Sequence, residues 1–193
     1  MFIDYLTVML VNMAAGLAIL ALFVLKYIDG DRRFLAPGLL VAGFVATVTG
    51  LHEIFTWPIV SSYNIPFGEM SVLFGVLLLG GSLALFRGWE LLSLGIYATF
   101  AGAACIELGI RLYVLKMTSE PLVAAFGFVL TGLIGFLTLP LYFLRKHAWV
   151  RVLATIALAG AAVVWAVFAA LGYWAHLESF AKWAPSTMPP PAK

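Results

Sequence analysis

Six apolar runs, each about as long as a bilayer-crossing helix, leave this chain few folds to choose from. They extend from about Tyr5 to Ile28, Phe34 to Trp57, Glu69 to Phe86, Trp89 to Leu115, Pro121 to Leu144 and Trp149 to His176. Crossing roughly 30 Å of hydrocarbon takes about 20 helical residues. The runs are too long and too continuously apolar for barrel strands, which alternate and need only about 9–11 residues. A helix satisfies its own backbone in lipid, so the expectation is an all-α fold: a six-helix transmembrane bundle over residues 1–176. A tail over 177–193 follows, and its Pro-rich end is expected to be disordered. Pro58 should stop the second run, and Pro140 predicts a kink within the fifth.

Composition removes the main competitor. With 64% hydrophobic and 10% charged residues, the chain could not hide its apolar surface as a water-soluble globule. The single cysteine, Cys105, excludes an intrachain disulfide and a zinc site built on paired cysteines. Lying after Ala101-Gly102-Ala103-Ala104, it reads as a small packing residue. The start, Met1-Phe2-Ile3-Asp4-Tyr5, lacks the basic region of a cleaved signal, so the first run is expected to be retained.

Charge alternates between the connections. The first, third and fifth hold Lys26, Arg32, Arg33, Arg87, Arg145, Lys146 and Arg151, which are seven of the eleven basic residues. The second, from Pro58 to Gly68, holds none, and the fourth holds Lys116. The positive-inside rule then puts the odd connections in the cytoplasm and both termini outside. Trp57, Tyr63, Tyr173 and Trp174 would belong to the outer aromatic belt. The basic residues are few and topogenic, which argues against a nucleic-acid partner and leaves the lipid bilayer as the certain one.

A weak internal repeat suggests three helical hairpins in parallel orientation. Phe74-Gly75 with Gly80 resembles Phe126-Gly127 with Gly132, and Ala101-Gly102-Ala103-Ala104 recurs as Ala159-Gly160-Ala161-Ala162. Small residues recur in membrane bundles in any case, because they let helices approach.

Ionisable groups inside a bilayer cost roughly 2.5–3.5 kcal/mol each near a helix centre, so their placement is informative. On this topology nearly all of them collect in the outer half. His52, Glu53, Glu69, Glu107, Arg111, His176, Asp4 and Glu120 bring at least one such group to every span. Imidazoles with carboxylates suit a transition metal, with copper or zinc favoured outside the cytoplasm. The expected ligands are His52, His176, Glu69 and Asp4. Arg111, Glu107, Tyr63, Asn64 and Glu53 would stand around them. Glu53 lies about 100° around the helix from His52 and is the weaker ligand. Glu107 and Arg111, spaced i, i+4 with the acid first, read as a structural ion pair or as a clamp on an anion. Asn12 reads as an amide bonding across a helix interface. No metal-ligand spacing motif, phosphate loop or nucleophile elbow occurs.

The runs Thr49-Gly50-Leu51-His52, Thr56-Trp57-Pro58, Ser62-Tyr63-Asn64 and Phe67-Gly68-Glu69-Met70-Ser71-Val72-Leu73-Phe74-Gly75 resemble one family. Asn12-Met13-Ala14-Ala15-Gly16, Glu120-Pro121-Leu122 and Tyr173-Trp174-Ala175-His176 support the likeness. This is the domain of unknown function 981 family of small bacterial and archaeal membrane proteins. The resemblance implies a multi-pass fold in a bacterial or archaeal cytoplasmic membrane, and no activity.

Three functions follow as expectations. The first is a metalloprotein with copper or zinc near the extracytoplasmic face, and with copper a redox enzyme acting on a small or lipid-soluble substrate. A b-type haem between His52 and His176 fits less well, because carboxylates surround them. The second is a transporter of an ion or small solute, lined by Glu107, Arg111 and Asn12. The third is an accessory subunit of a membrane complex, working as a homo-oligomer or beside a partner subunit.

Overall fold

The computed structural model describes residues 5–59, 61–118 and 120–181. Among these there is no strand. The helices are α1 (Leu6–Leu22), α2 (Ala36–Thr56), α3 (Met70–Arg87), α4 (Leu92–Val114), α5 (Pro121–Phe136), α6 (Thr138–Leu144) and α7 (Ala148–Phe180). A π-helical turn, Phe23–Tyr27, extends α1, and another, Ile65–Glu69, leads into α3. Among the described residues five helical segments are long and apolar enough to cross a membrane, or six if the bent pair α5 and α6 counts as one span. The expected all-α bundle is therefore what the chain folds into. The last helix runs four residues past His176, to Phe180, and the Pro-rich end of the tail lies outside the described residues.

The prolines act where their chemistry says they should. Pro140 has no N–H for the carbonyl of Phe136, and its ring crowds that carbonyl. The span breaks at Leu137 and bends by 43°. The Thr99 hydroxyl of α4 donates to the carbonyl of Gly95 at 3.0 Å and lies 3.5 Å from the carbonyl that Pro140 leaves free, that of Phe136. Pro58 disfavours the helical region for Trp57. Trp57 instead turns left-handed, at φ 47°, and its N–H closes α2 on the carbonyl of Glu53.

The helices close into a ring in the order α1, α2, α3, α4, α5, α7, with α6 beside α4 and α7. Three extensive pairs, α2–α3, α4–α5 and α7–α1, alternate with three thinner contacts. The repeat read as hairpins in the sequence thus packs one helix out of step, pairing each helix with its neighbour across the hairpin boundary. Glycines set the register. A Cβ on Gly43 would lie 2.8 Å from the carbonyl oxygen of Gly75, and one on Gly132 would lie 2.8 Å from that of Gly102. Gly75 of α3 is therefore matched by Gly132 of α5, while Gly127 faces Trp165 of α7. Only residues without a side chain let two helix backbones come this close.

Inside the ring, Leu17, Leu39, Leu78, Leu112, Phe128, Leu158 and Trp165 form a continuous core. Polar side chains tie neighbouring helices. Ser71 and Ser82 of α3 donate to the carbonyls of Ala46 and Ala36 on α2. Trp165 Nε1 donates to Thr131 of α5, and buried Cys105 donates its thiol to the carbonyl of Phe128. Asn12 donates across to the carbonyl of Ala42 at 2.6 Å, as its lone position in an apolar span predicted. Replacing Asn12 with leucine should cost on the order of 1 kcal/mol in reversible unfolding from mild detergent, since one interhelical bond is lost and no buried partner is orphaned.

At one end of the ring the basic connections meet. Arg151 pairs with Asp29 at 3.4 Å, Arg32 donates to the carbonyls of Ile28 and Trp89, and Tyr142 donates to Glu90 at 2.7 Å. The first, third and fifth connections are thus joined at a single end, and His52 lies at the other.

Candidate functional site

At the end opposite the basic connections, α2 finishes with His52, Glu53 and Thr56. His52 is half-buried, and its Nδ1 lies 3.2 Å from the Tyr5 hydroxyl and 3.4 Å from that of Thr56. The Tyr5 and His52 rings meet edge-on, with centroids 5.4 Å apart. The Tyr5 hydroxyl is the nearer partner of Nδ1, since Thr56 donates its own proton to the His52 carbonyl at 2.7 Å, and Nε2 is left as the nitrogen able to bind a ligand.

Glu53 is 0% exposed. Its side chain packs against Gly68, in the π-helical turn before α3, where a Cβ would come within 3.2 Å of it. Neither carboxyl oxygen has a hydrogen-bond partner among the described residues. Tyr5, at the start of α1, is joined directly to His52, and Glu53 follows His52 in the last turns of α2. Tyr5 and Thr56 escaped the sequence reading. The available signals were that Thr56 stands i+4 from His52 and that Tyr5 directly follows Asp4.

His176 approaches the same corner from the other side of α1. A Cβ on Gly172 would lie 2.7 Å from the Thr7 side chain. His176 is one turn further along the same face of α7, so it is carried toward the beginning of α1. His52 and His176 therefore flank the start of α1 on either side. Asp4 lies outside the described residues. Among the described residues, no three His, Cys, Asp or Glu side chains converge on one point.

The remaining candidates are dispersed. Glu69 is exposed at the start of α3. Tyr63 is half-buried in a short 3-10 turn, Ser61–Tyr63. Asn64 is fully buried, but its amide serves its own loop: Oδ1 accepts the N–H of Ile59, and Nδ2 donates to the carbonyls of Ile59 and Ser61. Glu107 and Arg111 are both exposed on α4, and they form no ion pair with each other.

One turn inward of Tyr5 lies a small chamber of about 40 Å3. Met9, Met13, Met70 and Cys105 contribute sulfur to its lining, with Ser71, Thr131 and Trp165 beside them. It has room for a few waters or one ion. No acid, histidine or basic residue lines it.

A family profile described as "Protein of unknown function (DUF981)" matches residues 1–179. No curated protein and no solved structure matches the chain.

Proposed function

The chain belongs to the DUF981 family, whose description assigns no activity, and from that premise we propose that it is an integral membrane protein that binds a transition metal at the His52 end of the bundle. On the charge pattern of the connections, that end faces away from the cytoplasm, both termini are extracytoplasmic, and the membrane is the cytoplasmic membrane of a bacterium or archaeon.

The observation that carries this reading is Glu53. A fully buried carboxyl with no partner on either oxygen is costly and calls for a cation or water that completes it. Beside it, His52 has one ring nitrogen held by the Tyr5 hydroxyl and the other available, the usual arrangement of a metal-binding imidazole. His176 stands at the same end of the bundle, on the other side of the start of α1, and is the further imidazole there. Asp4, next to Tyr5 in the chain, and Glu69 are further candidate carboxylates, but Glu53 faces inward and Glu69 outward, so Glu53 takes the larger share of the charge balance. Imidazole with carboxylate suits copper or zinc.

The test is metal content by inductively coupled plasma mass spectrometry of protein purified in mild detergent. The wild type should carry about one copper or zinc per chain, and His52→Ala or Glu53→Gln should lower affinity by about tenfold or more. Tyr5→Phe keeps the ring and removes the hydroxyl that orients His52, so it should weaken binding by roughly tenfold without abolishing it. A wild type with no stoichiometric metal, even after reconstitution with copper and with zinc, overturns the proposal.

A further inference from the structure

The outward face of α4 carries a pair of charges that the bundle itself does not use. Cys105 and Gly109, two residues on either side of Glu107, are both buried. Each two-residue step turns a helix by about 200°, so Glu107 points almost directly away from the core. Arg111 lies one turn further along the same ridge and is also exposed. Ala103, one turn the other way, is exposed as well, and the face around these three is apolar: Phe100 is 74% exposed, Ile110 52% and Val114 59%. Glu107 sits seven residues before the end of α4, which places it about 10 Å inside the helix terminus. An acid at that depth has no reason to face lipid, and the arginine that could neutralise it makes no ion pair with it.

We infer that this ridge is the contact surface for a second copy of the same chain. Two copies in one membrane share their orientation, so a two-fold axis along the membrane normal brings the same ridge of each against the other. Ala103, Glu107 and Arg111 follow one another at four-residue spacing, the ridge that packs against its own kind in right-handed crossings. Ala103 lets the backbones approach. Glu107 of each copy then lies one turn from the partner's Arg111, within reach of a long guanidinium side chain. On this two-fold equivalent residues face each other, and opposite charges meet on the diagonal, Glu107 of each copy with Arg111 of the other, so the ion pair can form twice across the seam.

The experiment uses the full chain in lipid nanodiscs and in native membranes. Native mass spectrometry of the wild type should show a dimer. Ala103→Cys in a Cys105→Ala background should give a disulfide-linked dimer under mild oxidation. Val163→Cys, on the exposed face of α7, should not. Glu107→Arg should abolish the dimer, and Glu107→Arg with Arg111→Glu should restore it. Should Glu107→Arg fail to insert, Glu107→Gln serves instead, with a dimer weakened about 10- to 100-fold, since both copies of the pair are lost. A monomeric wild type, no crosslink at Ala103→Cys, or a reversed double variant that stays monomeric would each sink the inference. The last result would assign Arg111 to lipid phosphate.

Discussion

Gly102→Ala is expected to be among the most destabilising single-methyl changes this protein can suffer. A Cβ at Gly102 would lie 2.5 Å from the carbonyl oxygen of Gly132 and 2.7 Å from the carbonyl carbon of Gly135, and it would also meet the backbone nitrogen of Phe136. All three are main-chain atoms of α5, so no rotamer change relieves the clash. The two helices must separate along their whole contact, or the ring must open. Overpacking a core usually costs about 1–3 kcal/mol, and a backbone-on-backbone clash belongs at or above the top of that range. Gly160→Ala is the matched control. Nothing lies within 4 Å of the Cβ it would add on α7, so it should be neutral or gain up to about 1 kcal/mol from helix propensity. Equilibrium unfolding of both variants in one detergent or bicelle system reads the difference, expected at roughly 2–4 kcal/mol. Equal stabilities would mean that α4 and α5 do not meet at this glycine.

The second large effect separates binding from folding. Glu53→Leu should make the metal-free protein more stable, by on the order of 1–3 kcal/mol, because a buried carboxyl with no partner gives way to an apolar side chain of similar size. The same change should remove metal binding. Glu53→Gln should leave stability nearly unchanged, since its amide is as poorly partnered as the acid, and should also lose the metal. A site kept for function at a cost in stability gives this pattern. If Glu53→Leu lowers the stability of metal-free protein by several kcal/mol, the carboxyl is a structural anchor and the proposed metal site loses its support.

Parts of this site were legible in the chain. His52, Glu53 and His176 stood out because ionisable residues in apolar runs are costly, and their gathering at one end followed from the alternation of charge in the connections. The ranking of the carboxylates was not legible. Sequence spacing made Glu53 the weaker candidate, yet Glu53 is the acid turned fully inward against Gly68, and Glu69 is turned out. Rotation of a helix about its axis is set by what packs against it, and no local pattern encodes it when nearly every position is apolar. The same reason hid the outward direction of Glu107 and Arg111. Their i, i+4 spacing fitted an internal pair, but the glycines and Cys105 on the opposite face decide which way α4 turns.

By itself, the sequence determined the apolar character and the helical secondary structure, because hydrocarbon tolerates only backbone that bonds to itself and 20-residue apolar runs are long enough to be its helices. It also determined where the fifth span breaks, since a proline removes a donor wherever it stands. Only the tertiary structure decided which helices pair closely, that the last helix closes the ring on the first, and that Tyr5 reaches His52. Those outcomes depend on which small residues of one helix meet another, Gly43 with Gly75, Gly102 with Gly132 and Gly172 with Thr7, and a linear pattern of small residues does not say which of its members will face one another.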